Sequence, residues 1–109
     1  MANFSDTLTS GVTASITGTD NTAVIAAPAA GCLHITQILV TNAHATVGTY
    51  VNIKAGTTTL YSGYAAAVGG GFTLNFNPPL RLPAATALNA ANETTGSDTR
   101  VSASGYISA

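Results

Sequence analysis

From Phe72 to Asn77 the chain reads Phe-Thr-Leu-Asn-Phe-Asn, three large apolar residues alternating with three polar ones. Side chains alternate across a strand with a period of two, so this run fits a β-strand with one buried face. A slip of one residue would bury the polar set and expose two aromatic rings, which fixes the register. Phe72, Leu74 and Phe76 are therefore expected to point into a core, with Thr73, Asn75 and Asn77 on the opposite face. Pro78-Pro79, which lacks ladder donors, is expected to end the strand.

The same pattern recurs along the chain. Tyr50-Val51-Asn52-Ile53-Lys54 puts Val51 and Ile53 inward, and Gly56 offers a turn before Thr57-Thr58-Thr59-Leu60-Tyr61, so the two runs read as a hairpin. In Cys32–Asn42, Leu33 and Ile35 share one parity while Ile38 and Val40 take the other. A bulge near Gln37, or burial of both faces, reconciles them. Thr99–Ile107 follows a turn signal at Thr95-Gly96-Ser97-Asp98 and reads as a terminal strand. Weaker candidates are Gly11–Thr17, Thr22–Ala27 and Thr86–Ala91. The total of about eight strands is the pattern of an all-β sandwich or barrel.

Residues 11–109 are expected to form one domain, with residues 1–10 as an N-terminal arm or tail in which Phe4 and Leu8 are the apolar contacts. Tyr64–Gly71 is expected to be a wide, flexible loop, too short and Gly-terminated for a durable helix. Glu, Lys, Gln and Arg, which fill exposed helix faces, are nearly absent, and this disfavours helices elsewhere too.

That scarcity has a second consequence. Charged residues make up 6% of the chain, against about 25% in an ordinary globular domain. None lies between Asp20 and Lys54, or between Lys54 and Arg81. A surface so poor in charge is better suited to being covered than to standing free in water, so assembly with itself or a partner is expected. With a formal net charge of −1 and three Lys plus Arg, the chain has no basic stripe for direct nucleic-acid binding. Pro28, Gly31, Thr36, Thr41 and Asn42 interrupt the apolar stretches before a membrane-spanning length of about 18 residues accumulates.

Met1-Ala2-Asn3-Phe4-Ser5-Asp6 has neither the basic nor the apolar region of a secretory leader, so the chain is expected to act where it is made or to leave by lysis. The glycosylation patterns at Asn3-Phe4-Ser5 and Asn92-Glu93-Thr94 then have no route to modification. A single cysteine, Cys32, excludes an intramolecular disulfide, leaving packing or oligomerisation to supply stability.

Patterns that carry chemistry are missing. Cys32 and His34 would share a face of a strand, but with His44 as the only other imidazole a transition-metal site lacks ligands. There is no G-x-S-x-G elbow, and nothing aligns Asp20 or Asp98 with either histidine for nucleophilic catalysis. Asn92, Glu93 and Asp98 lack the regular spacing of a calcium loop, and Gly69-Gly70-Gly71 is not followed by the Lys and Ser/Thr of a phosphate cradle. No enzyme, metal or cofactor is expected. Tyr50, Tyr61 and Tyr64 are amphipathic, and two readings fit them: contacts between subunits, or a ring around the domain's own core.

Four features together resemble small virion proteins of tailed bacteriophages over roughly residues 30 to 109: the Gly56–Leu60 hairpin, Gly69-Gly70-Gly71-Phe72 leading a strand to Pro78-Pro79-Leu80, the Ala87-Leu88-Asn89-Ala90 strand, and Thr95-Gly96 before Val101–Tyr106. The resemblance implies a jelly-roll-like antiparallel β-sandwich that decorates or cements the phage head, commonly as a homotrimer bound to the major capsid protein, and it brings no catalytic residues. The alternative it implies is a tail or head-fibre module that binds a host-surface glycan through exposed aromatics and loop Asn and Asp side chains.

Overall fold

The computed structural model describes residues 7–108. Those residues form eight strands: β1 (Thr7–Val12), β2 (Thr22–Ile25), β3 (Cys32–Asn42), β4 (Thr49–Ala55), β5 (Thr58–Ala65), β6 (Gly70–Arg81), β7 (Leu88–Asn92) and β8 (Thr99–Ser108). They make two four-stranded sheets, in the orders β1-β8-β3-β6 and β2-β7-β4-β5. Every pairing is antiparallel. Apart from the β4–β5 hairpin, each strand lies in the opposite sheet from the one before it, and the sandwich has the strand order of a jelly roll.

The core is aliphatic. Leu33, Ile35, Ile38 and Val40 of β3 and Val101 of β8 face Val51 and Ile53 of β4 and Leu88 and Ala90 of β7. Each such Leu, Ile or Val contributes about 1.5–3 kcal/mol by leaving water. The parity conflict in β3 is resolved by a bulge: its register against both β6 and β8 shifts between Ile35 and Gln37. The extra residue turns Ile38 and Val40 back to the inside, and Thr36 Oγ1 donates to the Ser104 carbonyl at 3.1 Å beside the irregularity. The β4–β5 hairpin turns at Gly56, whose φ of 61° is a conformation that Gly adopts without steric cost.

Four expectations are corrected. The first strand is not Gly11–Thr17 but Thr7–Val12, so residues 7–10 of the supposed arm pair with β8, Leu8 opposite Tyr106. Phe4 lies outside the described residues. Pro78-Pro79 does not end β6, which runs on to Arg81. Phe76 to Pro79 lie opposite Thr36 alone, in an excursion where the ladder needs no proline N–H. The wide loop at 64–71 is in fact a tight connection, because β5 continues to Ala65 and β6 begins at Gly70. Finally, Phe72, Leu74 and Phe76 do face the core side, but they are half-buried, because β6 is an edge strand and the interior belongs to the aliphatic residues.

Candidate assembly surface

One end of the sandwich is sealed by polar side chains. Asn42, on the inner face at the end of β3, donates through Nδ2 to the carbonyls of Val47 at 2.8 Å and Ala65 at 3.0 Å. Its Oδ1 accepts from the backbone N–H groups of His44 and Asp98. Asn92, its counterpart at the end of β7, donates to the Ile16 carbonyl and to Ser97 Oγ, and accepts from Thr99 Oγ1. Both amides are buried with these bonds made, so each stabilises its loops where an unpaired amide would cost heavily.

This end gathers Asp20, Glu93, Asp98 and His44 in its loops, yet forms no reactive cluster. His44 Nδ1 accepts from the N–H groups of Thr46 and Val47, an internal clamp on its own turn. His34 lies far along β3 and stacks on Tyr106, with ring centroids 4.8 Å apart and planes inclined by 5°. Cys32 is buried. Among the described residues no three His, Cys, Asp or Glu side chains come together as metal ligands.

The residues singled out as contacts do not converge. Tyr50 and Tyr64 are cross-strand neighbours on the outer face of the β2-β7-β4-β5 sheet, in edge-to-face contact with centroids 5.1 Å apart. They are 51% and 54% exposed, so they ring no core. Tyr61 pairs with the inward Ile53 and packs on Phe76 at 5.4 Å, closing the corner between the two sheets. Leu8 lies on the other sheet altogether, 87% exposed. Of the two readings of the tyrosines, Tyr61 takes the core-rim place, while Tyr50 and Tyr64 are free at the surface.

The outer face of the β1-β8-β3-β6 sheet carries the feature that single residues did not reveal. Ser102 and Ser104 on β8 lie between Ser10 and Val12 on β1 and Gln37 and Leu39 on β3. Small residues on a central strand flanked by larger ones leave a trough, seen as two shallow depressions of about 520 and 420 Å³. Leu8, Val12 (70% exposed) and Leu39 (43% exposed) line it, with no charged side chain among the described lining residues. Its signal in the sequence is the Val101-Ser102-Ala103-Ser104-Gly105 run, where the outward positions are small. Comparison with protein-family models, curated proteins and solved structures gives no match for this chain.

Proposed function

We propose that the chain is a non-enzymatic structural subunit of a phage virion, a capsid decoration or cement protein that associates with itself and with the major capsid protein. The observation that carries this reading is the uncharged trough on the β1-β8-β3-β6 sheet, with Leu8, Val12 and Leu39 held open to water. Exposed apolar residues grouped along a stretch free of charged side chains are a usual mark of a surface that is covered in the working state. A cement subunit works by burying such area against neighbouring shell subunits and holding them together against internal pressure. The reading needs no reacting group, and it accounts for a 6% charged composition.

Its test is attachment to particles. Val12→Asp and Leu39→Asp place carboxylates in the trough at positions already open to water. They should leave the fold intact and abolish co-sedimentation with phage heads, while Thr58→Asp on the other sheet should attach as the wild type does. Unchanged attachment of both trough variants would remove this face from the reading.

A second reading is supported by the Tyr50–Tyr64 pair, two half-exposed rings beside Asn52 and Ser62 on the opposite sheet. A ring face with amide and hydroxyl neighbours suits a sugar, as in a tail or head-fibre module that binds a host glycan. Binding to a glycan array that is lost in Tyr50→Ala, with particle attachment retained, would favour it.

A further inference from the structure

A sandwich of two open sheets has four edge strands, and each edge offers unpaired N–H and C=O groups to any extended chain. Two of the four here are blunted. β6 carries Pro78, Pro79 and Arg81. β2 has four residues and an irregular register. β1 is also free of charge and proline, but its six residues make a shorter edge, with β2 packed against its inner side at Gly11 much as the Phe72 ring packs against Gly63 of β5. β5 is longer: its eight residues, Thr-Thr-Leu-Tyr-Ser-Gly-Tyr-Ala, include no charge and no proline, and six of them are exposed.

The ladder fixes which groups of β5 point outward. Glu93 N donates to the Tyr50 carbonyl and Gly56 N to the Ala87 carbonyl, so the even-numbered residues of β4 turn their backbone groups toward β7. Val51 therefore turns toward β5 and exchanges hydrogen bonds with its partner Gly63. By alternation Ser62 and Tyr64 direct their N–H and C=O away from β4, to the free edge. Gly63 between them has no side chain, and the space a Cβ would take is filled by the Phe72 ring, 2.6 Å away at its nearest.

We infer that β5 pairs antiparallel with β5 of a second copy, about a two-fold axis at Gly63. That axis sets Ser62 opposite Tyr64 of the second copy and Tyr64 opposite its Ser62, so that the outward groups of these four residues form four reciprocal hydrogen bonds. A large ring then meets a small hydroxyl on each side, and the two glycines meet where the strands come closest. The two β2-β7-β4-β5 sheets become one continuous eight-stranded sheet. A two-fold axis places like charges near each other, which makes an uncharged edge suited to a copy of itself rather than to a charged partner. The pairing is two-fold, in place of the trimer that the phage resemblance implies. It does not depend on the virion reading, because it is measured on the isolated protein.

Gel filtration with light scattering should give twice the chain mass of 10.8 kDa. The concentration series should reach about 0.1 mM, which saturates any pair of micromolar affinity. Ser62→Pro removes an outward N–H without touching the β4 ladder, and Ser62→Lys puts a charge on the edge; both should elute as folded monomers. The double variant Ser62→Cys/Tyr64→Cys should become a covalent dimer under mild oxidation. A wild-type monomer throughout the series, a trimer, or a folded Ser62 variant that stays dimeric would each overturn the inference. Should the proline variant fail to fold, the lysine and cysteine variants decide.

Discussion

The hydroxyl of Thr99 donates to Asn92 Oδ1 at 2.7 Å, tying the first residue of β8 to the last of β7 across the loop that joins them. The same amide donates to the Ile16 carbonyl at 2.9 Å and to Ser97 Oγ at 3.0 Å, so one side chain holds three segments.

Asn92→Ala removes these three bonds from a buried site, while the Ile16 carbonyl keeps the Thr99 N–H at 3.1 Å and the Thr99 hydroxyl at 3.4 Å. Each intramolecular hydrogen bond contributes about 0.5–1.5 kcal/mol net, so losing three is expected to cost about 2–4 kcal/mol. At roughly 4–8 °C per kcal/mol for a domain of this size, thermal melts should show a drop of about 10–25 °C. A drop of only one or two degrees would mean that the loops are held by their backbone bonds alone.

Asn92→Asp is expected to add a pH dependence. The carboxyl cannot make both Nδ2 donations, and burial raises its pKa above the ordinary value near 4 by disfavouring the charged form. The neutral acid is the form that fits, so the variant keeps most of its stability below about pH 4 and loses it as the pH rises through the raised value. Melting temperatures of variant and wild type should therefore diverge between pH 4 and pH 7. A constant gap would show that the carboxyl stays solvated.

The two amides also mark how far the sequence could be read. The strands were legible because each carries its own alternation: Cys32–Asn42 was located to the residue, and its conflicting parities at Ile35 and Ile38 announced the bulge. What alternation cannot show is which sheet a strand joins, or whether it lies at an edge. Hence Phe72, Leu74 and Phe76, the strongest pattern in the chain, read as core residues but are half-buried. Likewise Asn42 and Asn92 read as polar residues at strand ends; only the meeting of four loops made them interior. The trough was hidden for the same reason, since its walls come from β1 and β3 and its floor from β8.

Phe76 is the measure of that edge position. Its ring packs against the core and against Tyr61, but it remains partly open to water. Phe76→Ala should therefore cost about 2–3 kcal/mol, below the roughly 3–5 kcal/mol of a fully enclosed ring. Asn75→Ala, on the exposed face, should stay within about 0.5 kcal/mol. Urea denaturation of the pair distinguishes the cases. Equal small losses would mean that β6 contributes little packing, and a loss above 4 kcal/mol that the ring is better enclosed than its exposure indicates.

Cys32 is buried, and its thiol should be silent in the native protein. An aromatic disulfide reagent is expected to label it only at the rate of unfolding, with complete labelling in denaturant. Rapid native labelling would show that the β3 end of the sandwich opens locally, and would open a route to disulfide-linked dimers that the buried position now closes.

Two glycines in neighbouring segments should respond in opposite ways. At Gly11, on the inner side of β1, an added Cβ would run into the carbonyl oxygen of Val24, a backbone atom that cannot rotate aside. Accommodating alanine there means moving β2 away from β1 and disturbing Val24 and Ile25, both part of the core. Gly11→Ala is accordingly expected to cost at least 1–3 kcal/mol, in the range of overpacked cores. At Gly18, in the loop between β1 and β2, nothing lies within 4 Å of the same added atom and the backbone has no positive φ. Alanine there mainly restricts the unfolded chain, so Gly18→Ala should raise stability by about 0.4–1 kcal/mol. Chemical denaturation of both variants alongside the wild type tests the β1–β2 approach directly: if Gly11→Ala proves as harmless as Gly18→Ala, the two strands do not come as close as this packing requires.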